Sequence, residues 1–558
     1  MAYKPIPVGV ENFKRIIDDG HYYVDKTLMI KDIIDKKTVV NLFTRPGRFG
    51  KTLNMSMIQY YFEKTDDDNS YLFEGLKISE AGDEYKDYMG KYPVISLSLK
   101  SMKQPDFDYA FSEFKMLIKK EFWRHKKIFS SDKIDAQTKK LFEQIVSATA
   151  EDKIYFTALK LLSDCLCKVH EKNVILLIDE YDVPLENAHM RGFYNEMTDL
   201  IRSAFEGVLK TNNSLEFGIL TGCLRISKES IFTGLNNLNV YSIINTDFSE
   251  YFGFTKDEVK DMLDFYELSE NFEEAKQWYD GYIFGKKEIY NPWSITKFVM
   301  SLNSKEEVSA LPYWSNTSSN DIIRELVFEG NENVKSIIEE LINGETITKP
   351  VYEDITYRNV NINTDYIWSF LLFTGYLKPI EKIIINDDLH MKMVIPNREV
   401  KSIYRNTIMQ WFDEKLRTQS REDLFDAMIQ GDVKCFNSIL SDWFYSSVSY
   451  YDTKENYYHG FLTGVLSGFY GYKLKSNRES GNGRSDIMIY DNKNYERGII
   501  IEIKSAKSPR ELDDKCDEAL QQIEDMNYSA ELYDMGIDYI IKYAVAFYEK
   551  TCRVKKAD

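Results

Sequence analysis

Two separate groups of residues in this sequence have the types and spacing that phosphate chemistry requires. The first is Gly50-Lys51-Thr52, which follows an apolar run over Val39–Phe43 and a turn with Gly47, and which precedes an amphipathic helical pattern. Strand, glycine-bearing loop, Lys-Thr and helix are the order of a phosphate-binding P-loop. Because backbone N–H groups at a helix N-terminus attract anions, we expect Lys51 to reach the outer phosphates of a nucleotide and Thr52 to ligate Mg²⁺.

The loop departs from the usual spacing, G-x-x-x-x-G-K-[ST], because Arg45 stands where the first glycine is expected. A Gly-Lys-Thr tripeptide alone also fits an ordinary strand–turn–helix with a surface lysine. Arg45, Gly47, Arg48 and Gly50 complete the set of candidate phosphate contacts in this loop.

A second element makes the P-loop interpretation much more specific. The β-branched apolar run that ends at Ile178 is followed directly by Asp179-Glu180, which is the Walker B pattern. A buried parallel strand delivers its last carboxylate to the edge of the sheet where the P-loop also opens. Asp179 is therefore expected to hold the Mg²⁺ shell, and Glu180 to act as general base on the attacking water.

The next predicted strand, Leu215–Leu220, ends in residues suited to sense or stabilise a terminal phosphate. Thr221 is the candidate γ-phosphate sensor, and Arg225 is the candidate charge stabiliser in the same chain. A packing or turn role is the alternative for each of them.

The second chemical group is Asp486 followed by Glu502-x-Lys504, with each half on a predicted strand. Residues i and i+2 share one face of a strand, so Glu502 and Lys504 point together, and Asp486 converges on them from the neighbouring strand. Two carboxylates suit Mg²⁺ or Mn²⁺, which would polarise a phosphodiester, while Lys504 orients the water or stabilises charge. Glu455 or Glu479 would supply a third carboxylate.

Local charge agrees with a phosphate-facing surface around this second group. Residues 471–510 hold nine Lys and Arg against five Asp and Glu, in a chain whose net charge is −18. A solvated hairpin face is the alternative explanation.

Composition limits what else the chain does. At 558 residues, with 43% hydrophobic and 14% aromatic residues, the chain is long enough for several domains with sizeable cores. No apolar run reaches the length that spans a bilayer, the start lacks a signal-peptide core, and six scattered cysteines suit reduced thiols. These features predict a cytoplasmic protein with no membrane partner.

The remaining stretches predict the elements that position these groups. Residues 1–247 form the P-loop domain, with its segment before the first strand lying over the nucleotide base or simply packing as a helix. Residues 248–300 form a helical lid in which Thr255 and Glu258 make a capping box. Residues 301–440 form a mostly helical connecting domain, with strands at 360–362 and 391–395, and residues 441–558 form the second chemical module.

Several longer motifs resemble the bacterial AAA-ATPase-like family, a P-loop group usually fused to a C-terminal PD-(D/E)xK nuclease-like domain. The residues that carry the resemblance are Arg45–Leu53, Leu177–Asp182, Thr221–Asn237, Trp278–Tyr282 and Tyr290–Ile295. The family usually has an arginine at the position of Gly47. By resemblance, Gln522 matches a glutamine often found on the helix after the Glu-x-Lys strand and joins the catalytic set.

The sequence therefore predicts an α/β protein: a P-loop NTPase parallel sheet with a helical lid, a helical middle region and a C-terminal restriction-endonuclease-like domain. The predicted function is ATP binding and hydrolysis coupled to a metal-dependent nuclease that acts on nucleic acid, DNA in the first instance. The alternative is a nucleotide-switched scaffold that binds nucleic acid or protein without cutting. The expected cofactors are ATP and Mg²⁺, with Mn²⁺ as an alternative at the nuclease site, and a homo-oligomer is left open.

Overall fold

The computed structural model describes most of the chain in two compact units, residues 1–405 and 406–558. The described residues are 4–225, 237–303, 310–316, 332–355, 365–405, 421–447, 458, 462, 463, 466, 472–480, 483–491, 496–548 and 551–557. Each unit has its own sheets and its own core.

The first unit is built on a five-stranded sheet in which every pair of neighbouring strands is parallel. Its order is β2-β3-β4-β1-β5. The strands are β1 Val40–Thr44, β2 Val94–Ser98, β3 Val174–Asp179, β4 Leu215–Gly222 and β5 Leu238–Tyr241. β1 and β3 are buried along their whole length, as strands covered on both faces must be. The predicted parallel P-loop sheet is confirmed.

Helices cover both faces of this sheet. In chain order they are α1 Phe13–Asp18, α2 Leu28–Lys36, α3 Lys51–Phe62, α4 Asp83–Lys86, α5 Phe107–Arg124, α6 Ala136–Val146, α7 Asp152–Tyr155, α8 Ala158–His170, α9 Val183–Arg191 and α10 Tyr194–Leu209.

Side chains of α5 and the residue after it cover the outer edge of β2. Arg124 Nη2 donates to the Val94 carbonyl at 2.5 Å, and His125 Nε2 lies 3.0 Å from the same oxygen. Glu121 Oε1 accepts from the Ser96 amide at 2.9 Å. Polar groups of the edge strand, which a neighbouring strand would otherwise satisfy, are therefore bonded to side chains.

The predicted lid combines three helices with a small antiparallel sheet. The helices are α11 Lys256–Phe265, α12 Phe272–Tyr279 and α13 Pro292–Asn303, and the strands are β6 Phe254–Thr255, β7 Tyr282–Phe284 and β8 Lys287–Tyr290. The capping box of Thr255 and Glu258 is confirmed at the start of α11. Glu258 also pairs with the buried Lys26 at 2.6 Å, so the N-terminal segment is attached to the lid.

The middle region is less helical than the sequence pattern indicated. It holds α14 Glu332–Asn343 and α15 Asp365–Phe373, but also an antiparallel sheet of β9 Ile347–Pro350, β10 Lys378–Ile385 and β11 Asp388–Val394. The strand expected at 391–395 matches β11, and the one expected at 360–362 lies outside the described residues. β10 and β11 form a hairpin whose turn residues Asn386 and Asp387 both have positive φ, a turn signal that the helical interpretation overlooked.

The second unit is a mixed sheet with helices on both faces. The sheet order is β12-β13-β14-β15-β16, and only the β14–β15 pair is parallel. The elements are α16 Arg421–Gln430, α17 Val433–Ser447, β12 Tyr472–Ser480, β13 Gly483–Asp491, β14 Arg497–Ser505, α18 Leu512–Asp525, α19 Ala530–Asp534, β15 Tyr539–Tyr548 and β16 Thr551–Lys556. The α/β fold predicted for the C-terminal region is confirmed, although β12 and β13 extend into the stretch expected to be a turn.

Within the described ranges, no helix combines the length and apolar character that crossing a bilayer requires. All six cysteines lie in these ranges, and all are free thiols.

Candidate nucleotide and metal sites

The P-loop joins the end of β1 to the start of α3 and exposes its backbone to an incoming ligand. Gly50 has φ +81° and Arg48 has φ +71°, which are left-handed conformations. A Cβ at Gly50 would meet no atom within 4 Å, so the loop is open at this point. Lys51 Nζ donates to the carbonyls of Arg45 and Pro46, each at 2.9 Å. The lysine therefore closes the loop on itself, and it would have to exchange these carbonyls for phosphate in order to contact a nucleotide.

The sheet order brings three predicted site residues into direct contact. β4 lies between β1 and β3, so the end of β4 faces both the P-loop and the Walker B carboxylate. Thr52 Oγ1 donates to Asp179 Oδ2 at 2.7 Å, and Thr221 Oγ1 donates to Asp179 Oδ1. A hydroxyl and a carboxylate that share a hydrogen bond at a helix N-terminus are a suitable donor set for Mg²⁺.

Glu180 is half-buried beside this group and has an uncommon backbone conformation. Its φ is +54°, and its amide donates to Thr221 Oγ1 at 3.3 Å. Burial raises the pKa of Glu180, and the charge of Lys51 opposes that rise. Burial would lower the pKa of Lys51, but the nearby acidic groups, Glu180 among them, leave it raised. Positive φ at a non-glycine residue is a strained arrangement of the kind found at functional sites.

A cavity of about 470 Å³ opens over the P-loop. Its walls are the N-terminal segment, residues 47–54, residues 180–186 and part of the lid. This volume is in the range of small-molecule sites. The sequence left open whether the segment before β1 lies over the base or packs as a helix. The structure places Tyr22 and Tyr23 of that segment in the cavity wall.

Arg48 and Trp293 form one side of the cavity mouth. The Arg48 guanidinium carbon lies 4.3 Å from the centroid of the Trp293 ring. Arg48 is exposed, and Gly47 lines the same cavity. The structure thus places Gly47, Arg48, Gly50, Lys51 and Thr52 around one opening, and their contact with phosphate stays a prediction.

Arg45 does not fit the predicted role of phosphate contact. Its fully buried guanidinium donates to the carbonyls of Thr44, Tyr241 and Phe248 and lies 5.0 Å from the ring centroid of Phe252. Burial lowers its pKa to about 9. The side chain fastens the end of β1 to the segment after β5, and only its backbone carbonyl contacts Lys51.

Arg225 is likewise directed elsewhere. Its Nε lies 3.0 Å from Asp354 Oδ1 in an ion pair with the middle region. A role as in-cis charge stabiliser requires that pair to break. Sequence alone could not show this, because Asp354 is more than a hundred residues away.

Tyr181 and Asp182, immediately after Asp179-Glu180, make contacts that the sequence did not predict. Asp182 Oδ2 accepts from the amides of Cys223 and Leu224 at 2.6 and 3.0 Å, and Tyr181 Oη donates to the Leu224 carbonyl at 2.6 Å. The segment after β3 is therefore tied to the segment after β4. The buried Asp182 stands in the motif itself, but the sequence did not show that it binds the amides of Cys223 and Leu224.

In the second unit, Asp486, Glu502, Lys504 and Gln522 come together as predicted. Ile487 pairs with Ile501, so the next residues outward, Asp486 and Glu502, face each other across β13 and β14. Asp486 Oδ2 accepts from the Ile503 amide at 2.8 Å.

Gln522 on α18 links the two ends of the Glu-x-Lys motif. Its Nε2 donates to Glu502 Oε1 at 2.6 Å, and its Oε1 accepts from Lys504 Nζ at 2.6 Å. Lys504 Nζ also lies 3.4 Å from Glu502 Oε1. One amide therefore fixes the orientation of both charged groups.

The second carboxylate oxygen of Glu502, Oε2, indicates whether this site suits a metal ion. Glu502 is only 2% exposed, and no group in the described residues donates to its Oε2. Burial, with the charge of Asp486, raises the pKa of Glu502 to about 7. A buried carboxylate oxygen without a donor beside a second carboxylate is costly for the protein alone and suits a divalent cation. The donor set therefore fits Mg²⁺ or Mn²⁺.

A third carboxylate is not found in the part of the chain that the structure describes. No three His, Cys, Asp or Glu side chains in those ranges form a group that could hold a metal. Glu455 lies outside the described residues, and so does the side chain of Glu479. The third ligand remains a prediction.

Comparison with known proteins agrees with this division into two chemical modules. Residues 7–232 match the family model of a predicted AAA-ATPase, and residues 453–557 match the PD-(D/E)XK nuclease superfamily. The chain is also 22% identical over 545 residues to the "Uncharacterized protein in vnfD 5'region" of Azotobacter chroococcum mcd 1, a match that covers 95% of this chain and 94% of that protein. The chain thus holds an N-terminal region similar to predicted AAA-ATPases and a C-terminal region similar to the PD-(D/E)XK nuclease superfamily.

Proposed function

We propose that the first unit binds and hydrolyses ATP with Mg²⁺ and that the second cuts nucleic acid, DNA in the first instance, with a divalent cation. The observation that carries the ATPase assignment is the contact of Thr52 and Thr221 with the two oxygens of Asp179, beside Lys51 at the tip of α3.

In the first unit, each residue has a separate task. Lys51 exchanges the carbonyls of the loop for the outer phosphates. Thr52 and Asp179 hold Mg²⁺, which neutralises charge on the phosphates when bound. Glu180, whose pKa is raised by burial, accepts a proton from the attacking water, and Thr221 orients Asp179.

In the second unit, Asp486 and Glu502 hold the cation, which polarises the phosphodiester and lowers the pKa of a bound water. Lys504 is held 2.6 Å from Gln522 Oε1 and places its positive charge next to the reacting phosphate. Because Lys504 donates a hydrogen bond to Gln522, it does not pair with Glu502 alone.

The ATPase assignment is tested by calorimetry and by phosphate release. Wild-type protein should bind ATP with Mg²⁺, Lys51→Ala should lose affinity, and Asp179→Asn should lose hydrolysis. Lys64→Ala, an exposed lysine in the same unit, is the matched control and should behave as wild type. ATP binding that survives Lys51→Ala unchanged would remove the assignment.

The nuclease assignment is tested by incubating the full chain with Mg²⁺ or Mn²⁺ and DNA or RNA. Glu502→Ala should abolish cutting. Glu524→Ala, which removes a more exposed carboxylate on the same helix as Gln522, should not. Cutting that persists in Glu502→Ala would overturn the proposal.

The alternative function is a nucleotide-switched scaffold that binds nucleic acid or a protein partner without cutting. It is favoured by the acidic net charge of −18 and by the non-standard P-loop, in which Arg45 stands where the first glycine is expected. ATP-dependent DNA binding with no cutting under any divalent cation would select this alternative.

A further inference from the structure

The outer surface of α5 carries three large apolar side chains in one line. Tyr109, Met116 and Trp123 are 63%, 51% and 54% exposed. They are seven residues apart, so each lies within about 20° of Met116 around the helix axis and about 10.5 Å from it along the axis. We call these three residues the α5 stripe.

The stripe is separate from the core of the first unit. The buried residues of α5 include Phe114 and Ile118, which lie two positions from Met116 and so on the opposite side of the helix. Single exposed apolar side chains are ordinary, but three in one line on the outer side of a helix form a candidate contact surface.

The charges beside the stripe that have no partner of opposite sign on another described segment change sign at Met116. Asp108 and Glu113 lie on the N-terminal side, and Lys119 and Lys120 lie on the C-terminal side. Of the other charges on α5, Lys115 pairs with Asp152 at 2.6 Å, and Arg124 pairs with the buried Glu121. Beyond the helix, Lys126 Nζ lies 4.3 Å from the centroid of the Trp123 ring. A parallel copy of this helix would place like charges together, whereas an antiparallel copy would pair each acidic half with a basic half.

We propose that the α5 stripe binds the α5 stripe of a second copy of this chain, antiparallel, with the two-fold axis at Met116. Tyr109 then packs on Trp123 of the second copy, and the two Met116 side chains meet. Lys120 and Glu113 lie about 40° and 60° to the same side of the stripe, so Lys120 of each copy lies beside Glu113 of the other. This inference does not depend on the proposed function.

The size of the surface sets the strength of the association. An 18-residue helix is about 27 Å long, and a single helix pair buries less area than a stable dimer needs. The dimer is therefore weak, with a dissociation constant of about 1 μM or above, and its population depends on protein concentration.

Charge reversal tests the pairing. Sedimentation equilibrium of the full chain up to about 100 μM should show a monomer–dimer equilibrium. Lys120→Glu and Glu113→Lys should each weaken it by about tenfold or more, since each creates two like-charge contacts. The double variant E113K/K120E should restore dimerisation. Lys140→Glu, an exposed lysine on α6, is the control and should have no effect.

Cross-linking tests the orientation. Under copper–phenanthroline, Met116→Cys should give a disulfide-linked dimer. Ser112→Cys should not, because residue 112 of the two copies would lie about 12 Å apart. Monomer at all concentrations, single reversals without effect, no restoration in the double variant, or equal cross-linking at both positions would each overturn the proposal. A monomer whose DNA binding falls in Lys120→Glu would instead identify a nucleic-acid surface.

Discussion

Replacing Gly222 with alanine is expected to disable the site in the first unit. Gly222 is the last residue of β4, directly after Thr221. A Cβ added there would lie 2.7 Å from Asp182 Oδ1 and 2.7 Å from Tyr181 Cε1. Both neighbours belong to the segment that follows Asp179 and Glu180, so any relief of the clash moves the residues beside this proposed catalytic pair.

The size of the effect follows from how firmly that segment is held. Ordinary contacts begin near 3.4 Å, so the overlap is about 0.7 Å. Asp182 cannot turn away without losing the amides of Cys223 and Leu224. Overpacking of this kind costs about 1–3 kcal/mol. That cost corresponds to a loss of about 1–4 °C in the melting temperature. Where the same cost raises the free energy of the geometry that hydrolysis requires, the rate of hydrolysis falls by about 5- to 150-fold.

The matched control lies in the same strand. A Cβ at Gly218 would meet Leu209 Cδ2 at 2.9 Å, and this is the end of a flexible side chain that can rotate away. Gly218→Ala should keep nearly all hydrolysis and ATP affinity, whereas Gly222→Ala should lose hydrolysis in a phosphate-release assay. Wild-type hydrolysis and melting temperature in Gly222→Ala would refute the reasoning.

Three further predictions concern other buried polar groups. Burial raises the pKa of Glu399 from 4.5 to about 7. As the pH rises, the unfolded chain therefore releases this proton before the folded chain does. The unfolding free energy consequently falls as the pH rises between these two pKa values. Glu399→Gln should remove this loss, about 3 kcal/mol at pH 8, in urea denaturation at pH 5 and pH 8. Arg45→Met leaves backbone carbonyls without a donor, so the melting temperature should fall, while calorimetry should show ATP affinity within about twofold of wild type. Gln522→Ala releases Lys504 and Glu502 from their shared partner and should slow DNA cutting about tenfold, with metal affinity changed less than the rate.

Each of these predictions has a matched control and a contradicting result. Glu345→Gln changes an exposed carboxylate and should leave the pH dependence intact, so equal effects at both positions would contradict the first. Arg48→Met should show the reverse of Arg45→Met, with lower ATP affinity and unchanged stability. Gln521→Ala should not slow cutting, and a Gln522→Ala variant with the wild-type rate would contradict the third.

Local patterns were enough to predict the parts of the sites that lie on single elements. Alternation along β14 placed Glu502 and Lys504 on one face, and the apolar run before Asp179 placed that carboxylate at a strand end. The pattern also placed Thr221 at the end of the next strand, which is the neighbour of β3 in the sheet, but it did not predict the contact of Thr221 with Asp179. Their catalytic roles remain predictions.

Features that depend on distant partners were not predictable from the sequence. Arg45 looked like a phosphate contact because it lies in the loop, but its place is set by the Tyr241 and Phe248 carbonyls about 200 residues away. The pairing of Arg225 with Asp354 is of the same kind. The β10–β11 hairpin was missed because β10 alternates weakly, with exposed isoleucines at 380 and 384.

The polar last turn of α5 has a consequence for how this protein behaves at high concentration. A free strand edge invites another chain to add a strand and so to polymerise, whereas the outer edge of β2 already has its Val94 carbonyl and Ser96 amide bonded to Arg124 and Glu121. Loss of both Arg124 and His125, which share the Val94 carbonyl, would therefore do more than remove two side chains. It would open to strand addition by another molecule a border of the sheet that the native chain keeps closed.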